Sequence, residues 1–418
     1  MRTAAIASGL LLALAASAQA AEISIYCGAQ PEELALCREG SEAWAQESGN
    51  TVRVLPAPES STERYFLYLD LLGRKDSSVD VLQIDVIWPS ALAPHLLDLK
   101  DLLPPDATAG HIPAILANNT VGGRLVAMPW FTDAGLLYYR RDLLEQAGLP
   151  VPGTYGELAA IALVLQEAGR RTRPEFWGFV FQGAAYEGLT CNALEWIDAY
   201  GGMIVGDDGA IAISNPRAAF ALAQAAGWID TIAPPRVTRF IEEDARITFQ
   251  LGNAAFMRNW PYAWAVLNAE DSPVKGKVGV APLPAALPGG KHSATLGGWQ
   301  LAVSTYSKSP SEAASLVAYL TSQPEQKRRA IQGSYAPTIS ALYEDPEVLA
   351  AVPFFAELGK ILEGAVARPS SRAGQQYAQL SAQLWDAVHA TLTGRGSATD
   401  NLATLADRLR LLRARGGW

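Results

Sequence analysis

Strand-like and helix-like patterns alternate between residues 22 and 85, and this alternation limits the possible folds more than any other feature. Glu22–Tyr26 predicts a short strand, a helix that begins at Pro31 follows, and Thr51–Leu55 predicts a second strand. A helix over Thr62–Gly73 and an almost wholly apolar strand over Val79–Asp85 continue the series. A strand that is covered on both faces is apolar in this way. The alternation therefore predicts a largely parallel α/β layer.

The same alternation continues further along the chain. Strands are predicted at 125–129, 135–140, 176–182 and 253–258, and helices at 154–167, 215–230, 376–393 and 398–414. The longest of these patterns open with capping residues, such as Thr154 with Glu157 three positions later. Asp133 falls between two predicted strands, and Ser272–Gly290, rich in Pro and Gly, predicts a loop.

The first twenty residues are typical of a secretory signal peptide. A basic start at Arg2 precedes a run of small apolar residues, and Ala18-Gln19-Ala20 has the small-x-small form of a cleavage site. The run is shorter than the roughly 20 apolar residues of a membrane anchor. We therefore expect residues 1–20 to be removed and the product to be periplasmic, without stable membrane insertion. About four hundred residues remain, and one core rarely organises so many, so we predict two lobes.

Charge and cysteine content narrow the functional classes. The formal charge of −9, or −10 once Arg2 is removed, argues against nucleic acid as a partner. Cys27 and Cys37 either form a disulfide, worth roughly 2–3 kcal/mol in the chain-entropy model, or remain two buried thiols, and we interpret Cys191 as a core thiol. No Cys or His spacing suits zinc, so no metal or other cofactor is predicted.

Recognised catalytic motifs are missing, whereas aromatic clusters are present. The sequence has no nucleophile elbow, phosphate loop or dinucleotide fingerprint. A secreted glycosidase that uses two carboxylates, such as Asp85 and Asp133, remains an alternative. Aromatic residues cluster at 130–131, 138–139, 259–264 and 297–299. A single Trp is more often a core residue, but aromatic faces together with carboxylates and Arg side chains are typical of carbohydrate sites.

Five segments carry a resemblance to a known family. They are Met128–Leu144 (MPWFTDAGLLYYRRDLL), Phe176–Cys191 (FWGFVFQGAAYEGLTC), Gly252–Trp264 (GNAAFMRNWPYAW), Ser272–Leu283 (SPVKGKVGVAPL) and Thr295–Trp299 (TLGGW). In this order they resemble the trehalose/maltose-binding proteins of ABC sugar importers, which belong to the extracellular solute-binding protein family 1. The similarity extends over essentially the whole chain after the predicted signal peptide.

The resemblance implies an α/β fold of the two-lobed periplasmic binding protein type, similar to maltose-binding protein, with several hinge crossings. It implies a first lobe of residues 22–131 plus 295–340 and a second lobe of residues 132–294 plus 341–418. The implied protein is a monomer without enzymatic activity. It captures an α-linked glucose disaccharide such as trehalose or maltose and delivers it to the permease subunits of an ABC importer. A binding protein for a non-sugar ligand is the other alternative.

Carried over position by position, the resemblance also implies a binding site. Its predicted residues are Glu33, Arg64, Asp85, Phe131, Asp133, Trp260, Tyr262, Gly298, Trp299 and Arg368. The acids and arginines would hold hydroxyl groups, and the aromatic residues would stack on sugar rings. This chain departs from the family pattern at Phe131, where relatives often carry Tyr, at Gln30-Pro31, and at Ser370–Tyr377.

Overall fold

The computed structural model describes residues 20–206 and 208–416, which fold into two α/β lobes, each built on its own sheet. The predicted signal peptide lies outside the described residues except for Ala20. The strands are β1 Glu22–Tyr26, β2 Thr51–Leu55, β3 Val81–Asp85, β4 Thr120–Val121, β5 Arg124–Leu125, β6 Met128–Ala134, β7 Leu136–Arg140, β8 Trp177–Val180, β9 Ala254–Asn259, β10 Val278–Pro282 and β11 Leu296–Val303.

The helices are α1 Pro31–Ser48, α2 Ser61–Gly73, α3 Pro89–Leu92, α4 Pro113–Asn118, α5 Arg141–Ala147, α6 Tyr155–Arg170, α7 Glu187–Ala199, α8 Pro216–Trp228, α9 Glu242–Gln250, α10 Ala263–Leu267, α11 Pro310–Leu320, α12 Gln323–Gly333, α13 Pro346–Ala351, α14 Phe355–Glu363, α15 Ser370–Ala373, α16 Tyr377–Leu392 and α17 Ala398–Gly416. Short 3-10 helices occupy Ala93–His95, Pro235–Arg239, Ser340–Tyr343 and Gly374–Gln376. No helix in the described ranges is long and apolar enough to cross a membrane.

The first lobe contains a five-stranded sheet in the order β2-β1-β3-β11-β6. β1 lies parallel to β2 and β3, as the alternation predicted, whereas β11 is antiparallel to both β3 and β6. β3 is buried throughout. Apolar residues of α1, α11 and the strands form the core on one face of this sheet, including Trp44, Val303 and Leu316.

The second lobe contains a four-stranded sheet in the order β10-β7-β9-β8. β8 and β9 are parallel, whereas β7 is antiparallel to β9 and β10. Four aromatic rings interlock in its core: Trp196 and Trp228 lie 5.7 Å apart between centroids, and Phe181 and Phe179 each contact Trp228. The helices α16 and α17 pack against α7 and α8 in this lobe.

Only Gly135 separates β6 of the first sheet from β7 of the second, so the chain passes between the lobes almost as one continuous strand. The chain therefore passes from the first sheet to the second at Gly135, a few residues after the lobe boundary at 131/132 that the resemblance implied. The complete assignment of residues to the two lobes stays a prediction.

One strand prediction and one loop prediction were wrong. β6 extends from Met128 to Ala134, so Asp133 lies within a strand and not between two strands. This strand forms because β11 pairs with it over most of its length. The pairing register between the two strands shifts by one residue here, since Trp299 is opposite Phe131 but Gln300 is opposite Pro129. The predicted loop at 272–290 contains β10, which pairs with β7 despite its Pro- and Gly-rich surroundings. In both cases pairing with a distant strand overrides the local pattern.

Most helix signals were correct. The predicted capping box is present, since the Thr154 side chain accepts from the backbone N–H of Glu157 and the Glu157 side chain accepts from the N–H of Thr154. Gly49 adopts a left-handed conformation with φ of 73° and ends α1. Asn215 caps α8 through Ala218.

A disulfide joins the end of β1 to the second turn of α1. It links Cys27 and Cys37, whose Cα atoms are 6.3 Å apart. Cys191 is a buried free thiol, as the sequence predicted. The disulfide fixes the turn that carries Glu33 into the first helix.

The Cys27→Ser/Cys37→Ser double variant should lower the free energy of unfolding by roughly 2–3 kcal/mol. The reason is that it removes a cross-link between residues ten positions apart, so the unfolded chain gains conformational freedom. Urea denaturation under oxidising conditions measures the difference. Reducing agent should destabilise the wild type and leave the double variant unchanged. Equal stability of both proteins under oxidising conditions would contradict a stabilising bridge.

Candidate functional site

Three predicted site residues lie in one row across the middle of the first sheet. Trp299 of β11 is opposite Asp85 of β3 on one side and opposite Phe131 of β6 on the other. Directly paired residues on neighbouring strands point to the same face, so these side chains share one surface. Asp85 is the last residue of β3, as predicted, which places its carboxylate at the sheet edge where ligands bind in open α/β sheets.

Two glycines of β11 bring the backbone close to this row. Gly298 has a φ of +123°, and a Cβ there would lie 2.6 Å from the carbonyl oxygen of Phe131. Gly297 is opposite Asp133, and a Cβ at this position would lie 3.2 Å from Cζ3 of Trp260. The lack of side chains at 297 and 298 therefore lets a carboxylate on β6 and an indole from the second lobe approach the same strand.

Glu33 and Arg64 belong to different helices and are joined by Gln83. Nη1 of Arg64 donates to Oε1 of Gln83 over 2.9 Å, and Nε2 of Gln83 donates to Oε1 of Glu33 over 2.9 Å. The guanidinium carbon of Arg64 also lies 4.4 Å from the ring centroid of Trp299. All three polar side chains are buried. The hydrogen-bond chain thus fixes a cation against the face of the Trp299 ring.

Arg368 connects the two lobes. Its Nη2 donates to Oδ1 of Asp85 over 2.9 Å, and its Nη1 donates to Oε1 of Glu187, at the start of α7, over 3.0 Å. The hydroxyls of Tyr377 and Ser381 also donate to Glu187, over 2.5 Å and 2.7 Å. Because Asp85 belongs to the first sheet and α7 packs in the second lobe, one buried guanidinium bridges both. Tyr377, at the end of the segment that departs from the family pattern, supports this bridge.

Trp260 and Tyr262, on the turn after β9, are held by two consecutive glutamates at the start of α9. Nε1 of Trp260 donates to Oε1 of Glu242 over 3.3 Å, and the Tyr262 hydroxyl donates to Oε1 of Glu243 over 2.6 Å. The guanidinium carbon of Arg258 lies 3.8 Å from the Trp260 ring centroid. Both rings are therefore anchored at their polar edges.

These side chains line one cavity with an empty volume of about 860 Å³, including the part open to solvent. The structure brings all ten predicted residues to its wall: Glu33, Arg64, Asp85, Phe131, Asp133, Trp260, Tyr262, Gly298, Trp299 and Arg368. Their role in binding stays a prediction. Among the described residues, no group of three or more His, Cys, Asp or Glu side chains could hold a metal ion.

Sequence reasoning missed several residues of the wall, including Glu59, Ser61, Glu187, Glu242, Glu243 and Tyr335. It also missed Gln83 behind the wall, although Gln83 and Asp85 are two apart on one strand and therefore face the same way. Glu187 lies within a segment that carried the family resemblance, but only the fold shows that its carboxylate meets Arg368. The sequence analysis predicted no helix at Glu242 and Glu243, the acidic start of α9.

Burial raises the pKa of three carboxyls in the cavity wall, those of Asp133, Glu187 and Glu243. It raises the pKa of Asp133 well above its ordinary value, and the negative charges of Asp85 and Glu33 add to the effect. Arg258 and Arg368 act in the opposite direction on the same pKa. Burial also raises the pKa of Glu187, against the lowering effect of Arg368. Asp133 has no hydrogen-bond or ion-pair partner within the described part of the chain, so its charge is poorly compensated there.

Asp133→Asn should therefore raise the melting temperature of the ligand-free protein at neutral pH. A carboxyl whose pKa is higher in the folded than in the unfolded state stabilises the fold at low pH, and this contribution is lost as pH rises from the unfolded pKa near 3.8 through the folded one. The advantage of the variant should shrink as pH falls toward about 4. Melting curves between pH 3 and 8 measure this difference.

Glu363→Gln, which removes an exposed carboxylate outside the cavity, is the control and should show no comparable gain. A melting temperature of Asp133→Asn at or below that of the wild type at pH 7 would contradict the cost of the buried charge.

Comparison with known proteins agrees with this geometry. The family model described as bacterial extracellular solute-binding protein matches residues 35–327. The "Probable ABC transporter-binding protein" of Deinococcus radiodurans is 50% identical over 412 residues, which are 98% of each chain. The maltose-bound MalE3 structure from T. maritima is 40% identical, covers 94% of this chain and 100% of its own, and superposes with a TM-score of 0.88.

A solute-binding protein from Thermotoga lettingae, bound with α-D-tagatose, is 23% identical with a TM-score of 0.85 and supports the fold alone. The two-lobed periplasmic binding protein fold is thereby confirmed. The family match and the extent of these similarities lead to one conclusion: the chain belongs to the bacterial extracellular solute-binding proteins.

Proposed function

We propose that this protein is the sugar-capturing subunit of an ABC importer and that it reversibly encloses an α-linked glucose disaccharide, such as maltose or trehalose. The observation that carries the proposal is the convergence of Trp299, Trp260 and Tyr262 with buried carboxylates and arginines on one cavity between the lobes. Maltose lies in the T. maritima relative, and the D. radiodurans relative is named for an ABC transporter. Both similarities extend over nearly the whole chain.

The chemistry of the wall suits a sugar. The C–H faces of a pyranose would stack on the aromatic rings, whose orientations are fixed by Arg64 against Trp299 and by Glu242 and Glu243 at the second-lobe rings. Buried carboxylates accept from hydroxyls in charge-assisted hydrogen bonds, which are about twice as strong as neutral ones. The Asp133 carboxyl lines the cavity and has no side-chain partner among the described residues, so it can hydrogen-bond to a sugar hydroxyl.

Lobe movement would admit and release the ligand. Because the lobes are linked by Gly135 and by the Arg368 bridge, rotation about the crossings would separate Asp85 from Glu187. Closure would exclude water from the sugar and present one surface from each lobe to a permease. The extracellular description of the family and the signal-like residues 1–20 favour a periplasmic location.

One observation supports the glycosidase alternative. Asp85 is ion-paired with Arg368, whereas burial raises the pKa of Asp133, and two carboxyls in different environments are what a glycosidase needs. The family match favours binding without turnover. Prolonged incubation with maltose or trehalose should therefore release no glucose, and measurable release would favour the enzyme.

Thermal unfolding against a panel of sugars tests the proposed function. Maltose, trehalose and sucrose are compared with glucose and with the β-linked disaccharide cellobiose. Binding to the folded state alone stabilises it by about 4 kcal/mol at a thousandfold excess over Kd. We expect a clear rise in melting temperature with at least one α-linked disaccharide and a smaller one with cellobiose. A flat response to every sugar would refute the proposal.

Trp299→Ala should weaken binding of that disaccharide by about tenfold or more, which corresponds to about 1.4 kcal/mol. The variant removes both the aromatic face and the surface against which Arg64 packs. Trp177→Ala is the matched control. Trp177 is also a partly buried strand residue, and the guanidinium carbon of Arg170 lies 4.3 Å from its ring centroid. Unlike Trp299, it lies outside the cavity wall. Calorimetric titration should give the control a wild-type Kd; an unchanged Kd for Trp299→Ala would remove Trp299 from the site.

A further inference from the structure

Arg329 is a buried cation without an anionic partner. It lies on α12 and is 1% exposed, and none of its three guanidinium nitrogens has a hydrogen-bond partner among the described residues. Its guanidinium carbon lies 3.8 Å from the ring centroid of Trp130 and 4.4 Å from that of Tyr335. The next residue, Arg328, is by contrast paired with Glu39 and Glu325 near the surface. Burial of an unpaired charge is costly, so Arg329 requires an explanation.

The cavity has the opposite imbalance. Its wall holds seven acidic residues but only two arginines, Arg64 and Arg368. Of the acids, Glu33 hydrogen-bonds only to neutral groups, Gln83 and the N–H of Ala29, and Asp133 has no partner within the described chain. The surplus of negative charge is therefore greatest at these two carboxylates.

A thin aromatic wall separates the cation from these acids. Phe131 and Tyr335, with ring centroids 4.7 Å apart, both line the cavity, and both contact the Arg329 guanidinium from behind. Burial lowers the pKa of Arg329, and Tyr335, Glu33 and Glu325 act against this effect, so the acid at the cavity and the cation behind the wall influence each other. Burial raises the pKa of Tyr335, which lies between them, well above its ordinary value; Glu33 and Asp133 add to this rise and Arg329 opposes it.

We propose that Arg329 is a positioning residue of the sugar cavity, which balances the charge of Glu33 and Asp133 from behind the wall and holds the edge-to-face pair of Phe131 and Tyr335 in place. This rests on the proposed sugar-binding function. Arg329 does not touch the sugar; it acts through the rings that do and through the field at the two carboxylates. An aromatic wall transmits the field because it excludes water, which would otherwise screen the charge.

Arg329→Met tests the proposal with Arg328→Met as the neighbouring control. Methionine fills the space without the charge and leaves no hydrogen-bonding group of a partner unsatisfied. We expect Arg329→Met to raise the Kd for the disaccharide that binds best by roughly tenfold or more. The melting temperature of the ligand-free variant should not fall more than that of the control. Arg329→Lys, which keeps the charge but loses the flat stack, should recover part of the affinity. Arg328→Met should bind as the wild type does.

The pH profile separates an electrostatic role from a merely structural one. Tyr335, Glu325 and Arg328 also face Arg329, and Asp133 is a cavity acid whose pKa burial raises well above its ordinary value. Loss of the cation favours the protonated form of Asp133, so the affinity of Arg329→Met for the sugar should decline at a higher pH than that of the wild type, and Arg329→Lys should restore the wild-type profile. Wild-type affinity and profile in Arg329→Met would overturn the proposal, as would a loss that only follows reduced stability.

Carboxyl NMR of the ligand-free proteins keeps the two proposals separate. We expect Asp133 to titrate at a higher pH in Arg329→Met than in Arg328→Met. If the wild type binds no sugar but this shift is present, the proposed function fails while the electrostatic coupling stands. If sugar binds and the shift is missing, the inference about Arg329 fails alone.

Discussion

The buried ion pair of Arg258 and Glu195 is the interaction on which both the lobe crossings and the cavity depend. The two side chains are each 1% exposed, and the Glu195 carboxylate also accepts from the N–H of Thr295 over 3.1 Å. A Cβ at Gly135 would lie 2.7 Å from Nη2 of Arg258 and would overlap the Glu195 carboxylate. The pair thus packs against the first crossing and binds the start of the second. Loss of one partner would leave the other charge buried and unpaired, which typically costs 3–5 kcal/mol.

The same guanidinium supports a ring of the site, and this arrangement recurs. Arg258 lies against the cavity residue Trp260 and Arg64 against the cavity residue Trp299, whereas Arg329 lies against Trp130, which is buried beside the wall residue Phe131. In the first two cases hydrogen bonds to Glu195 or Gln83 fix the cation, and the cation in turn fixes the indole. Rings held in this way lose little conformational freedom when a ligand stacks on them, so more of the contact energy remains for binding. Positive charges behind the wall also offset the carboxylates that project from it.

How far the sequence predicted this site differs from residue to residue. The β1–α1–β2–α2–β3 alternation and the position of Asp85 at a strand end followed from local pattern alone. The convergence of Glu33, Arg64 and Arg368 on one cavity followed only from family resemblance, because no local pattern relates positions so far apart. The strand through Asp133 was missed because its pairing with β11 comes from a distant part of the chain. Glu187 and Arg329 were missed for the same reason: their roles depend on contacts, not on neighbours in sequence.

Two polar groups at the cavity, on Arg368 and Asp133, lack hydrogen-bond partners, and this bears on how a ligand would favour the proposed closure. Nε of Arg368 is buried without a partner, and the Asp133 carboxylate has none among the described residues. The Nε atom is a donor with almost no accessible surface, whereas the Asp133 carboxyl lines the cavity, where a sugar hydroxyl could hydrogen-bond to it. Burial of an unpaired donor and burial of a poorly compensated charge each cost free energy. Under the proposed lobe movement, opening would expose both groups to water and remove this cost. A ligand that hydrogen-bonds to Asp133 would then favour closure by offsetting part of the cost, whereas an apolar molecule of equal size would not.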